Sequence, residues 1–318
     1  MTTAEPIDSS QATGSPDGAV RRAIDLALGL LSSRPPLLVV TDFDGTLSPI
    51  VQDPLGAVIE PLARDALRRL ARLSDSHPDR LAVVVLSGRT SADVAGRVRV
   101  GGVRYLGNHG LEAGALRRRA RPETLAVHAD PTLEPWVPST AALADAVADN
   151  LGRPGWLFVE LKGPSVAFHF RQAPDVDHAR EQVLAAIDTA EAVGGPNQLG
   201  MSRLEGRRIV ELRPIGAGGK GSAVERLIER ERPGAVLMLG DDRSDAEGFR
   251  VIVEARRRGE IDGAALAVHG ARETPPEVAE WADVELATTR DAAKVLSALA
   301  RAIEGRLDGR LEARYRVS

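Results

Sequence analysis

The chain contains no cysteine, which excludes a disulfide framework, a thiolate zinc cage, an iron–sulfur cluster and a cysteine nucleophile. Aromatic residues are scarce: five Phe, three Trp and two Tyr in 318 residues are too few for a base-stacking platform. Acidic and basic side chains nearly cancel, 45 against 41, so no basic footprint for nucleic acid exists. No apolar run approaches the roughly 18 to 20 residues that cross a bilayer, so neither nucleic acid nor membrane is an expected partner, and a cytoplasmic monomer is expected. Lysine is almost missing: Lys162, Lys220 and Lys294 stand against 38 arginines.

What the chain does have is alternation. From Pro35 onward, short apolar runs (LLVV at 37–40, LAVVVL at 81–86, VRYL at 103–106, AVLML at 235–239, AALAV at 264–268, VEL at 284–286) alternate with helical patterns such as Leu62 to Leu73 and Ser222 to Glu231. That order is the mark of an α/β protein whose parallel sheet is covered on both faces. Residues 115–214 read differently. WLFVEL and SVAFHFR form alternating strands around the turn Lys162-Gly163-Pro164, with a helix over Asp177 to Val193 and a further strand at RRIVELR, which predicts an inserted α+β cap. The expected organisation is a tail over 1–20, a Rossmann-like core over 21–114 and 215–318, and the cap over 115–214. The stretch from Arg21 to Leu31 imitates a short signal peptide, but Asp25 interrupts it and no small-residue cleavage pattern follows, so an amphipathic helix is expected.

Three strands end in chemistry. LLVV runs into Asp42-Phe43-Asp44-Gly45-Thr46, LAVVVL into Ser87-Gly88-Arg89, and AVLML into Gly240-Asp241-Asp242. Ligands of open α/β sheets sit beyond the carboxyl ends of the strands, so these groups stand where a ligand would be. Together they supply what phosphoryl transfer through an aspartyl-phosphate requires. Asp42 is the nucleophile, Asp44 the proton donor and acceptor, and Ser87 and Lys220 hold phosphate oxygens. Asp42, Asp241 and the backbone carbonyl of Asp44 provide the hard oxygen ligands that suit Mg2+, which offsets the repulsion between carboxylate and phosphate. His109, in Gly107-Asn108-His109-Gly110 at another strand end, is a candidate ligand contact; His169, between Phe168 and Phe170, reads as a sheet histidine with a partner.

One decoy lies in the same sequence. Gly216-Ala217-Gly218-Gly219-Lys220-Gly221 opens a helix, with Asp241 about 25 residues on, and imitates a dinucleotide-binding fingerprint. That reading leaves Asp42, Asp44 and Ser87 without a role. It also fails as a Walker loop, because Gly221 stands where Ser or Thr should follow the lysine.

DFDGTLSPI (42–50), LSGR (86–89), GNHGLE (107–112) and GDDRSDAEGF (240–249), in this order, resemble the haloacid-dehalogenase-like hydrolases, and among them the trehalose-phosphate phosphatases, from about Pro35 to Ala300. The resemblance implies a haloacid-dehalogenase core, a cap of the second type, Mg2+ as cofactor and trehalose 6-phosphate as the small-molecule partner. It makes Gly88, Arg89, Asn108 and His109 substrate contacts, adds Glu160, Lys162, Arg171, Glu211 and Arg213 of the cap as sugar-binding residues, and sets Asp242 and Asp245 behind the metal ligands. The alternatives are another sugar phosphate and a non-catalytic sugar-phosphate sensor. Two departures stand out: Ser244-Asp245-Ala246-Glu247 replaces the usual Thr-Asp-Glu-Asp, and HFR (169–171) replaces HYR.

Overall fold

The computed structural model describes residues 16–51, 53–193, 200–206, 208–269 and 275–315. The chain opens with α1 (Pro16–Gly29), followed by β1 (Leu37–Thr41), α2 (Pro61–Ser76), β2 (Leu81–Leu86), α3 (Ser91–Val98), β3 (Val103–Gly107), β4 (Glu112–Leu116) and β5 (Val127–Ala129). A second lobe comprises α4 (Trp136–Asn150), β6 (Phe158–Leu161), β7 (Val166–His169), α5 (Val176–Val193), β8 (Met201–Glu205) and β9 (Ile209–Pro214). The chain returns through α6 (Lys220–Glu231), β10 (Ala235–Gly240), α7 (Arg243–Arg257), β11 (Asp262–Val268), α8 (Pro276–Trp281), β12 (Val284–Leu286) and α9 (Thr289–Tyr315).

The large sheet has the order β12-β11-β10-β1-β2-β3-β4-β5, and its first six strands run parallel. Those six are the apolar runs anticipated from the sequence. Side chains alternate across a strand, so an unbroken apolar run requires two covered faces. Leu37 and Val39 enter a cluster shared with α1, α2, α3 and α9, whereas Leu38 and Val40 enter one shared with α6, α7 and α8. No described helix is long and apolar enough to cross a membrane.

Two boundaries differ from expectation. Residues 1–15 of the expected tail lie outside the described residues, but α1 begins at Pro16 and buries Ala19 and Val20, so 16–20 belong to the fold. Proline is tolerated in a first helical turn, which the low-complexity composition of this stretch concealed. At the other boundary, β4 and β5 pair antiparallel onto β3 and extend the large sheet past residue 115. β5 is exposed along its whole length and so carries no apolar signal. The second lobe therefore runs from α4 to β9.

In that lobe the antiparallel order β6-β7-β9-β8 is covered on one face by α4 and α5. Phe168, Val210 and Leu212 point into a core with Leu143, Val147, Val183 and Ile187. The alternate positions lie on the other face. Glu160 stands opposite Ala167 and Ala167 opposite Glu211, so two carboxylates flank one small residue in a single row. This face looks toward the carboxyl ends of the parallel strands. Phe168→Ala should lower stability by about 3–5 kcal/mol in a denaturant titration; a loss below about 1 kcal/mol would show that the lobe's core is not packed as described.

Candidate active site

Asp42 follows directly on β1 and is 4% exposed. Phe43 is fully buried in the core, and the alternation sends Asp42 and Asp44 to the opposite side. Gly45 turns the chain with φ +80°, and a Cβ there would lie 2.0 Å from the Asp241 carboxylate. The loops after β1 and β10 can approach this closely only because position 45 is glycine.

Lys220, the first residue of α6, is 1% exposed. Its Nζ lies 2.8 Å from Asp42, 2.8 Å from Asp245 and 3.9 Å from Asp242. Burial works to neutralise the ammonium, but these carboxylates outweigh it and hold Lys220 protonated well above its ordinary range. The acids are in the reverse position. Burial, opposed by Lys220, raises Asp42 to about 6, and burial with neighbouring carboxylates pushes Asp241 up as well.

One oxygen from each of Asp42, Asp241 and Asp245 falls within a 4.8 Å cluster. Oδ1 of Asp241 is buried without a hydrogen-bond partner among the described residues. Several crowded carboxylates, one cation and an unpaired buried oxygen fit a hard divalent ion such as Mg2+. Asp245, expected behind the ligands, contributes one of the three oxygens of this cluster. It also accepts from Lys220 and from the backbone N–H groups of Asp241 and Asp242, at 2.8, 3.1 and 3.2 Å. Asp242 caps α7, accepting from the Asp245 N–H at 3.0 Å and the Ser244 hydroxyl at 2.7 Å. Ser244 therefore supplies a hydroxyl where the usual motif has Thr. Ala246 joins the apolar core, and Glu247 stands 3.9 Å from Arg213.

The second strand end is organised around Arg89. Ser87 is buried and accepts the Arg89 N–H at 3.2 Å. The Arg89 guanidinium grips both Asp44 oxygens, at 2.6 and 2.8 Å, and lies 5.6 Å from the Phe43 ring centroid. Asp93, one helical turn on, accepts from Arg89 at 2.8 Å and from Arg97 at 2.9 Å, while Arg97 donates to the carbonyls of Leu55 and Ala57 at 3.0 Å. Arg89 was expected at the substrate; here it holds Asp44. The sequence reading misses Asp93 and Arg97, although an acid four residues after Arg89 and an arginine one helical turn beyond that acid stand in the sequence.

The third strand end meets the second lobe. Asn108 and His109 adopt φ of 50° and 57°. Asn108 donates to the Lys162 carbonyl at 2.8 Å and accepts from the Ser165 hydroxyl at 2.7 Å, so both ends of its amide clasp the lobe. That differs from the substrate contact expected of it. Lys162 is 5% exposed and donates to the Gly88 carbonyl at 2.9 Å and to Glu211 at 3.2 Å, with Glu160 at 3.9 Å. His109 lies 3.3 Å from Glu211. Burial acts to raise the Glu211 carboxyl, but Lys162 and His109 hold it well below the usual carboxylate range, and its Oε1 has no partner among the described residues. Glu160 pairs with His169 at 2.9 Å, the partner anticipated for a sheet histidine. Arg171 donates to the Val51 carbonyl, and Arg213 stays beside Glu247.

A family model described as trehalose-phosphatase matches residues 40–275, the span that holds every group above. The chain belongs to the trehalose-phosphatase family. The trehalose-phosphate phosphatase of Mycobacterium bovis is 33% identical over 276 residues, covering 82% of this chain and 64% of the relative. That of Mycobacterium avium is 36% identical over 267 residues, covering 82% and 59%. The chain thus spans about 60% of the length of these relatives. Among solved structures, the C. albicans trehalose-6-phosphate phosphatase C-terminal domain superposes with a TM-score of 0.67 at 22% identity, covering 87% of this chain and 96% of that one. Aspergillus fumigatus trehalose-6-phosphate phosphatase gives 0.57 at 22% identity, covering 87% and 97%. The family's fold, a parallel α/β core with a separate antiparallel sheet, is the one found here.

Asp241→Asn removes one of the crowded buried charges, so in chelator the variant should melt at a higher temperature than the parent chain. Magnesium should raise the melting temperature of the parent chain, by a shift equivalent to roughly 2.7 kcal/mol at 100 times Kd, and shift the variant much less. Equal magnesium shifts in the two proteins would contradict the site.

Proposed function

We propose that this chain is a magnesium-dependent phosphatase that converts trehalose 6-phosphate to trehalose and phosphate through an aspartyl-phosphate. The observation that carries the reading is the buried Asp42, ion-paired with Lys220 at 2.8 Å and placed beside the unpaired oxygen of Asp241. Family membership supports the substrate. Asp42 Oδ attacks phosphorus while the bond from phosphorus to the sugar oxygen breaks, and Asp44 gives that oxygen its proton. A water then attacks phosphorus with Asp44 taking a proton, which releases phosphate and restores Asp42. Lys220 and Ser87 hold the phosphate oxygens. Asp42, Asp241 and the Asp44 carbonyl, with Asp245 beside them, would hold Mg2+, which would supply the positive charge that lets carboxylate and phosphate meet.

Arg89 fixes the orientation of Asp44. A forked guanidinium holds both carboxylate oxygens in one plane, and Asp93 and Arg97 fix the guanidinium in turn. We assign the lobe from α4 to β9 as the specificity cap. Glu160 and Glu211 present acceptors to sugar hydroxyls and Lys162 a donor, with the unpartnered Oε1 of Glu211 ready to accept. The clasp of Lys162 and Asn108 across the lobes excludes water from the reacting phosphate.

Phosphate release across a panel of sugar phosphates should be fastest with trehalose 6-phosphate and should stop on chelation. Asp42→Asn should abolish it; turnover by that variant, or preference for another sugar, would refute the assignment. Asp44→Asn should lower kcat on the sugar phosphate by on the order of 10²–10⁴-fold. Arg89→Ala should follow the same direction with a smaller loss and little change in KM. Both variants should lose less on an aryl phosphate, whose leaving group needs no proton. Equal losses on the two substrates would remove Asp44 and Arg89 from proton transfer.

A further inference from the structure

The structure has a cavity at the amino ends of the parallel strands, the opposite end from the acids. It is lined by Leu37 and Leu81, the first residues of β1 and β2, whereas Asp42 follows the last residue of β1. At about 3.3 Å per residue the two places are roughly 16 Å apart along that strand. The volume is about 330 Å³, within the range of small-molecule sites, which combine apolar walls with a few polar groups. Leu31, Leu73, Ile303 and Leu307 complete the apolar wall.

The polar part is of one sign. Arg34, Arg80 and Arg306 line the cavity together with His77, and no Asp or Glu lines it among the described residues. Arg34 donates to the carbonyls of Arg232 and Pro233 at 3.2 and 3.4 Å, and Arg306 donates to the Leu31 carbonyl. Carbonyl partners orient a guanidinium without cancelling its charge. Among the described residues, the one acid recorded near Arg80 is the exposed Asp79, at 3.9 Å.

We propose that this cavity binds a single-chain amphipathic anion, a medium-chain carboxylate whose tail lies on the leucine wall and whose head meets the arginines. A neutral tail leaves the arginines without a counter-charge, and a bare anion leaves the apolar wall wet. Guanidinium forks suit a carboxylate head because both oxygens accept in parallel. The cavity is built from the end of α2, the segment after α1 and the far part of α9, so a ligand would tie the two termini of the fold to the start of the sheet.

Isothermal titration calorimetry of the full chain with hexanoate, octanoate and octanol tests this. One carboxylate should bind per chain, octanoate tighter than hexanoate by on the order of tenfold, as burial of two further methylenes at roughly 0.8 kcal/mol each gives. Octanol should bind at least tenfold more weakly than octanoate. Arg80→Glu should weaken octanoate several-fold, and Leu73→Trp, which fills the cavity, should abolish binding, with thermal melting to show that the variant is folded. If Leu73→Trp does not fold, Arg80→Glu and the octanol comparison decide. Absence of saturable binding, equal affinity for octanol, or indifference to Arg80→Glu would overturn the proposal. So would competition by inorganic phosphate with magnesium, which would place the ligand among the acids at the carboxyl ends of the strands.

Discussion

The whole structure is arranged around one uncomfortable contact: a buried lysine surrounded by more carboxylates than it can neutralise. Lys220 balances one of the acids packed near it, and Asp42, Asp241 and Asp245 remain crowded in a site from which water is largely removed. Such an arrangement costs stability unless a further cation joins it. The surrounding fold exists to hold these groups against their repulsion. Gly45 lets two loops come within contact distance, Asp242 and Asp245 cap α7 from both sides, and the parallel strands behind them are buried on both faces. Excess negative charge is tolerated because rigid neighbours leave it nowhere to relax.

The second lobe solves a different problem with a similar device. Lys162 is nearly as buried as Lys220 and likewise sits among acids, Glu211 and Glu160, but it also reaches across to the Gly88 carbonyl. It therefore joins the face that would recognise a sugar to the loop that carries Ser87 and Arg89. Of the three lysines in the chain, two occupy these positions, where a compact ammonium fits a crowded set of oxygens better than a planar guanidinium. Arginine takes the complementary role at Asp44, where a fork on two oxygens sets orientation.

Much of this was legible before the coordinates. The six parallel strands stood out because a strand covered on both faces must be apolar throughout, and the acids stood out because they followed such strands directly. The partly buried strands β4 and β8 and the exposed β5 leave no comparable trace, so the sequence places the lobe boundary before β5. The resemblance makes Asn108 a ligand contact, yet its left-handed backbone turns the amide toward Lys162 and Ser165, a relation between lobes that no local pattern encodes. The resemblance likewise sets Arg89 at the substrate. Its attachment to Asp44 depends on the packing of two loops 45 residues apart. Asp245 is both a helix cap and a member of the acidic cluster, two roles that look alike in a linear motif.

The most direct test of the central claim is chemical trapping of the covalent intermediate. Borohydride added during turnover of trehalose 6-phosphate with magnesium reduces an acyl-phosphate, and peptide mass spectrometry locates the reduced residue. The expected result is reduction at Asp42 alone, absent without substrate and absent in chelator. Reduction at Asp44, Asp241 or Asp245 instead, or vigorous turnover with no acyl-phosphate on any carboxylate, would contradict the role given to the acid that Lys220 holds.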